Sequence, residues 1–141
     1  MKEIQQYYVL WQEANRMYED WAITHGLTYS ELLVVLSLAQ QVDTQKQICE
    51  QWQLSKQTVH TVMKDFIKRG WIELVVSATD KRNKHIKLLA EGKQPVMQIA
   101  AALEAIEQQA WNQLGSKRAK ELLAHSAMYN QVFKELMHED V

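Results

Sequence analysis

The sequence predicts a mainly α fold with a small β wing: a winged helix-turn-helix core flanked by long helices at both ends. Three observations carry this. Apolar residues recur at alternating three- and four-residue steps at both ends of a 141-residue chain that has only four glycines and one proline. Two short helices, each opened by a hydroxyl residue, lie between Thr44 and Arg69. Two runs with strand character, 71–76 and 84–88, follow them across a polar connection.

Taken in order, Ile4, Tyr7, Trp11, Ala14, Tyr18 and Trp21 form one seam of a helix running to about Thr24 and stopped at Gly26. Thr28 and Glu31 have capping-box spacing and open a helix from Tyr29 to about Gln40. Leu32, Leu33, Val34, Val35, Leu36 and Leu38 make it apolar nearly all round, so it is expected at the centre of the fold. Thr44 opens a short helix that should bury Ile48 and Trp52, and Ser55 caps the next, which ends at Gly70. Val59, Val62, Met63, Phe66 and Ile67 share the core face of that helix. The strands 71–76 and 84–88 are antiparallel, joined by an extended loop that has no Gly or Pro for a tight turn. After Gly92 come two more helices, with Val96, Ile99, Leu103, Ile106 and Ala110 along one and Leu122, Ser126, Tyr129, Phe133 and Leu136 along the other. Gly115-Ser116 separates them. We expect a single domain, 1–141, with a winged helix-turn-helix region at 28–93 and dimerisation helices at 1–27 and 94–141. The apolar seams of the outer helices exceed what a monomer of this length needs to close its own core, which predicts a homodimer.

Composition excludes several classes. The hydrophobic content of 47% with 23% charged residues belongs to a folded chain, and no stretch approaches the roughly 20 apolar residues of a membrane span. A lone cysteine, Cys49, and the lack of a secretory leader pattern predict a reducing cytoplasm and no membrane partner. The net charge of −1 conceals a segregation: residues 55–93 hold nine Lys or Arg against four acids, a local +5, which leaves −6 for the rest. A basic face on an otherwise acidic chain suits a polyanion at one surface.

That face has a reader. Opposite the core stripe of the second short helix stand Ser55, Lys56, Gln57, Thr58, His60, Thr61 and Lys64, donors or mixed donor-acceptors with no acid until Asp65. A helix about 10–12 Å across fits the major groove of duplex DNA, where Gln pairs with adenine and Lys with guanine. The loop offers Asp80, Lys81 and Arg82, with Lys84 and His85 beside it. An arginine there suits a narrow minor groove, and Asp80 is expected to orient Arg82 rather than touch phosphates. Lys84 and His85 are placed to meet the backbone.

The run Leu54-Ser55-Lys56-Gln57-Thr58-Val59, then Gly70-Trp71-Ile72-Glu73, Asp80-Lys81-Arg82 and Ile86-Lys87-Leu88-Leu89-Ala90-Glu91-Gly92, resembles the multiple-antibiotic-resistance regulator (MarR) family. With the flanking helices, the likeness covers essentially the whole chain. It implies an obligate dimer whose first and last helices interlock and whose two recognition helices read a pseudo-palindromic operator, with double-stranded DNA as the partner. It further implies a repressor relieved by a small apolar or aromatic effector. Members usually carry Thr where this chain has Leu89, so the cap of the following helix is missing. Trp11, Tyr18, Trp21, Tyr29 and Trp71 either line an effector cleft between the outer helices and the winged region or serve as core and interface.

Other chemistry finds little support. Cys49 has only Lys46 nearby to lower its pKa and reads as a small core residue, with a redox switch as the alternative. The five histidines are scattered without zinc spacing, so neither metal nor cofactor is expected. No phosphate loop or nucleophile motif occurs, so the chain is not expected to be an enzyme. The competing classes are a winged helix that binds protein and a redox- or metal-sensing DNA binder.

Overall fold

A computed structural model of the chain describes residues 2–79, 82 and 84–139. The order is α1 (Glu3–Thr24), α2 (Tyr29–Ala39), α3 (Gln45–Trp52), α4 (Lys56–Lys68), β1 (Ile72–Val76), β2 (Lys84–Leu88), α5 (Ala90–Leu114) and α6 (Ser116–Glu139). Cα packing divides the chain into two compact units, Met1–Ala100 and Ala101–Val141.

Within the first unit, local caps set each helix start. The Thr28 hydroxyl accepts from the Glu31 amide while the Glu31 carboxylate accepts from the Thr28 amide, so both orphan donors are satisfied. Thr44 and Ser55 cap α3 and α4 through the Gln47 and Thr58 amides. Between α3 and α4 the chain turns through Gln53 in the left-handed region (φ 55°), and α4 stops at Gly70 (φ 78°).

The core sits where α2 meets α4: Leu32, Val34, Val35, Val59, Val62, Met63 and Phe66 are sealed, with Ile48, Ile72, Ile86, Val96 and Ile99 around them. The stripe of α4 is narrower than its spacing implies. Ile67, expected inside, is 44% exposed, because Phe66 already fills the last turn beneath the helix. Trp52 is half-buried rather than sealed, and its indole donates to the Ser37 hydroxyl (2.6 Å). Ser37, fully buried, donates in turn to Gln51 Oε1 (2.7 Å), and Gln51 Nε2 donates to Gln40 Oε1 (2.7 Å). This chain of bonds locks α3 onto α2. Ser37→Ala strands the indole N–H and should cost about 1–2 kcal/mol. Urea denaturation followed by Trp fluorescence would show the midpoint fall; an unchanged midpoint would mean that apolar packing alone holds the joint.

The wing is an antiparallel pair in the register Ile72↔Leu88, Leu74↔Ile86 and Val76↔Lys84. A third segment attaches to it: Thr44 bridges His85, and the Ile86 amide donates to the Asp43 carbonyl (2.6 Å). Thus the middle of β2 is fixed to the entry of α3.

The start of α5 lies before Gly92, at Ala90, and Pro95 sits in its second turn. Leu89 supplies no side-chain cap; instead its carbonyl accepts from the Gly92 and Lys93 amides while its amide donates to the Trp71 carbonyl (2.8 Å). In α6, Leu122, Leu123, Tyr129, Phe133 and Leu136 are all at least 41% exposed. Among the described residues no single helix is long and apolar enough to cross a membrane.

Candidate nucleic-acid interface

Burial of Val59, Val62, Met63 and Phe66 turns the opposite side of α4 outward, so Ser55, Lys56, Gln57, His60, Thr61 and Lys64 are exposed and Thr58 is half-exposed. The helix forms a ridge between two clefts. On one side is a groove of about 820 Å³ lined by Gln45, Lys46, Cys49 and Glu50 of α3, Lys56, Gln57 and His60 of α4, and Arg82 and Lys84 of the wing. On the other, about 550 Å³, Gln57, Thr58, Thr61, Val62 and Asp65 face Thr28, Ser30 and Glu31. Gln57 stands on the crest and borders both.

The hydroxyls differ in what they can still offer. Ser55 and Thr58 bond to each other (2.8 Å) and to the helix end, so they build the start of α4 before they meet anything else. Thr61 donates its proton to the Gln57 carbonyl (3.0 Å), which leaves a methyl and a lone pair facing out. Lys56, Gln57 and His60 therefore carry the available donors.

Among the described residues, the first groove concentrates four cationic side chains, Lys46, Lys56, Arg82 and Lys84, against the one carboxylate of Glu50. Low-dielectric walls focus such a field on an anion. The α3 contribution escaped the sequence reading, although Gln45 and Cys49, and Lys46 and Glu50, are each four residues apart and so share a helix face. Cys49 is half-buried at the groove wall rather than a sealed core residue.

On the wing, Arg82 and Lys84 join the groove, whereas His85 turns to Asp43 (Nδ1–Oδ2 3.5 Å). Asp80 and Lys81, and with them the expected support of Arg82 by Asp80, lie outside the described residues. Lys87 and Glu73 pair across the strands at 3.7 Å.

Beneath the second cleft lies a cluster joining distant parts of the chain. Arg69 Nε donates to Asp65 Oδ2 (2.8 Å), and its terminal nitrogen reaches Glu31 Oε2 (3.4 Å) and the Gly26 carbonyl (3.2 Å). The guanidinium lies 5.0 Å from the Trp71 ring centroid and 5.9 Å from that of Phe66. Burial pushes the Glu31 carboxyl up, and its hydrogen bond to Asp65 adds to the shift; that same bond, followed by Arg69, holds Asp65 down.

Of the five aromatics expected at an effector cleft, Trp11 is exposed and Tyr18, Trp21, Tyr29 and Trp71 are half-buried. Trp21 stacks on His25 at 3.8 Å, and Trp71 packs against Phe66 at 5.1 Å.

A winged helix with this groove matches known proteins. The MarR family model matches residues 25–83, the span from the end of α1 through α4 into the wing loop. NMB1585, a MarR family regulator from Neisseria meningitidis, superposes with a TM-score of 0.86 at 25% identity, covering 100% of both chains. The chain is similar to the MarR family of transcription regulators. Two structures solved with DNA share the fold at lower identity. Staphylococcus aureus MepR in its DNA complex has a TM-score of 0.76 at 18% identity, covering 94% of this chain and 99% of that one. Mycobacterium tuberculosis MosR in complex with DNA has 0.63 at 14%, covering 94% and 98%. No curated protein matches the sequence significantly.

Proposed function

We propose that this chain is a MarR-family regulator, a homodimeric, sequence-specific DNA-binding repressor of a pseudo-palindromic operator and a binding protein rather than an enzyme. Residues 28–93 are its reading head, and 1–27 and 94–141 are its dimerisation helices. The observation that carries this is the single groove in which Lys56, Gln57 and His60 of α4 stand beside Arg82 and Lys84 of the wing. A recognition helix in the major groove and a basic wing on the adjoining backbone need those groups on one face. The long exposed apolar stripe of α6 supports a second copy as its cover. Release by a small apolar or aromatic effector is supported by the four aromatics that are neither sealed in the core nor fully exposed.

The test is a gel shift against the chain's own upstream region with nonspecific competitor. Log affinity should fall against log salt with a slope near −0.9 per phosphate contact. Arg82→Ala should weaken binding to all sequences on the order of tenfold, whereas Gln57→Ala should relax preference at one base position, at about 1–3 kcal/mol. Binding indifferent to salt and to both changes would refute the assignment of this face.

A further inference from the structure

Arg69 closes α4 and joins it to its neighbours. Its Nε donates to Asp65 Oδ2 one turn back on the same helix (2.8 Å), which aims the planar guanidinium. The far nitrogen reaches off the helix to Glu31 Oε2 on α2 (3.4 Å) and to the Gly26 carbonyl in the turn after α1 (3.2 Å). The group also lies over the rings of Phe66 and of Trp71, the residue before β1. Glu31 has little freedom to follow a moving partner, since it is 8% exposed and its other oxygen caps α2.

This cluster supplies what apolar packing does not. Burial of Val59, Val62, Met63 and Phe66 presses α4 onto the core with little directional preference, whereas hydrogen bonds weaken steeply off their axis. A guanidinium aimed by its own helix and held by α2 and the α1–α2 turn fits one roll of α4. Gln57 and His60 ride on that helix, and a roll of about 10° carries a side chain about 5–6 Å from the axis through about 1 Å. That exceeds the spread of hydrogen-bond lengths to a base edge, while long flexible lysines on phosphates absorb it.

We propose that Arg69 is a positioning residue for operator recognition: it sets the roll of α4 against α2 and the α1–α2 turn, and so serves base preference rather than general affinity. The recognition half rests on the DNA-binding reading above.

Arg69→Lys keeps the charge and the stem but not the fork. Affinity is measured for the upstream DNA and for a shuffled duplex of equal length, at a temperature where circular dichroism shows both proteins fully folded. The ratio of the two affinities should fall on the order of tenfold in the variant, with shuffled-duplex binding within about twofold of wild type. A variant that is merely less stable loses both affinities together and keeps the ratio, and that result overturns the proposal. Glu31→Gln removes the charged anchor on α2 while its amide oxygen can still cap the helix, and it should lower the ratio in the same way. It carries the test if Arg69→Lys does not fold. Residual dipolar couplings of the backbone amides in α2 and α4 read the helix orientation without DNA. A changed orientation in Arg69→Lys, beside a wild type that binds no DNA, would fault the DNA-binding reading alone. An unchanged orientation overturns the proposal whatever the DNA result.

Discussion

Gly92→Ala should destabilise the fold by about 2–3 kcal/mol, although alanine is the better helix former by about 1 kcal/mol. Gly92 lies in the first turn of α5 against Trp71, the residue before β1. A Cβ placed there would sit 2.4 Å from the Trp71 carbonyl oxygen and 2.7 Å from its Cα, so backbone, not a flexible side chain, would have to retreat. That carbonyl also accepts the Leu89 amide, the bond that hands the chain from β2 to α5. Pushing it away strains the end of the wing ladder and lifts α5 from the core. A melting temperature lower on the order of 10 °C is expected. A variant that melts higher would show that the helix start has room to move and that propensity decides.

The second large effect concerns assembly. On the dimeric reading, Phe133→Glu places a carboxylate in the middle of the α6 stripe, and burying an unpaired charge costs several kcal/mol. The variant should run as a monomer in analytical ultracentrifugation. It should also lose most operator affinity, because two reading heads are needed to engage two half-sites one DNA turn apart. The Met1–Ala100 unit, which holds the groove, should keep its helical circular dichroism. Should the variant still sediment as a dimer, α6 is not the covering surface.

Much of this was legible because it is local. A threonine or serine three residues before the amide it caps reveals itself in sequence, and so Thr28, Thr44 and Ser55 placed three helix starts to within a residue. The alternation of residues 84–88 likewise disclosed β2 and its inward Ile86. What stayed hidden depends on partners far along the chain. Ser37 meets Trp52 fifteen residues on, and Arg69 meets Glu31 thirty-eight residues back. Neither separation leaves a periodic trace, and the isolated residues look like an ordinary serine and an ordinary surface arginine. The start of α5 was misplaced because it lacks a side-chain cap, while glycine and proline in the first two turns suggested a boundary that packing against Trp71 overrides. Ile67 was misjudged because spacing alone does not reveal where a helix rolls out from its core.

The tether from Asp43 and Thr44 to Ile86 and His85 has a consequence for how relatives of this chain can diversify. It anchors the wing at the middle of β2, so insertions or deletions between Val76 and Lys84 would fall beyond the anchor and leave it seated. Reach can then drift over generations while the aim of the hand is kept.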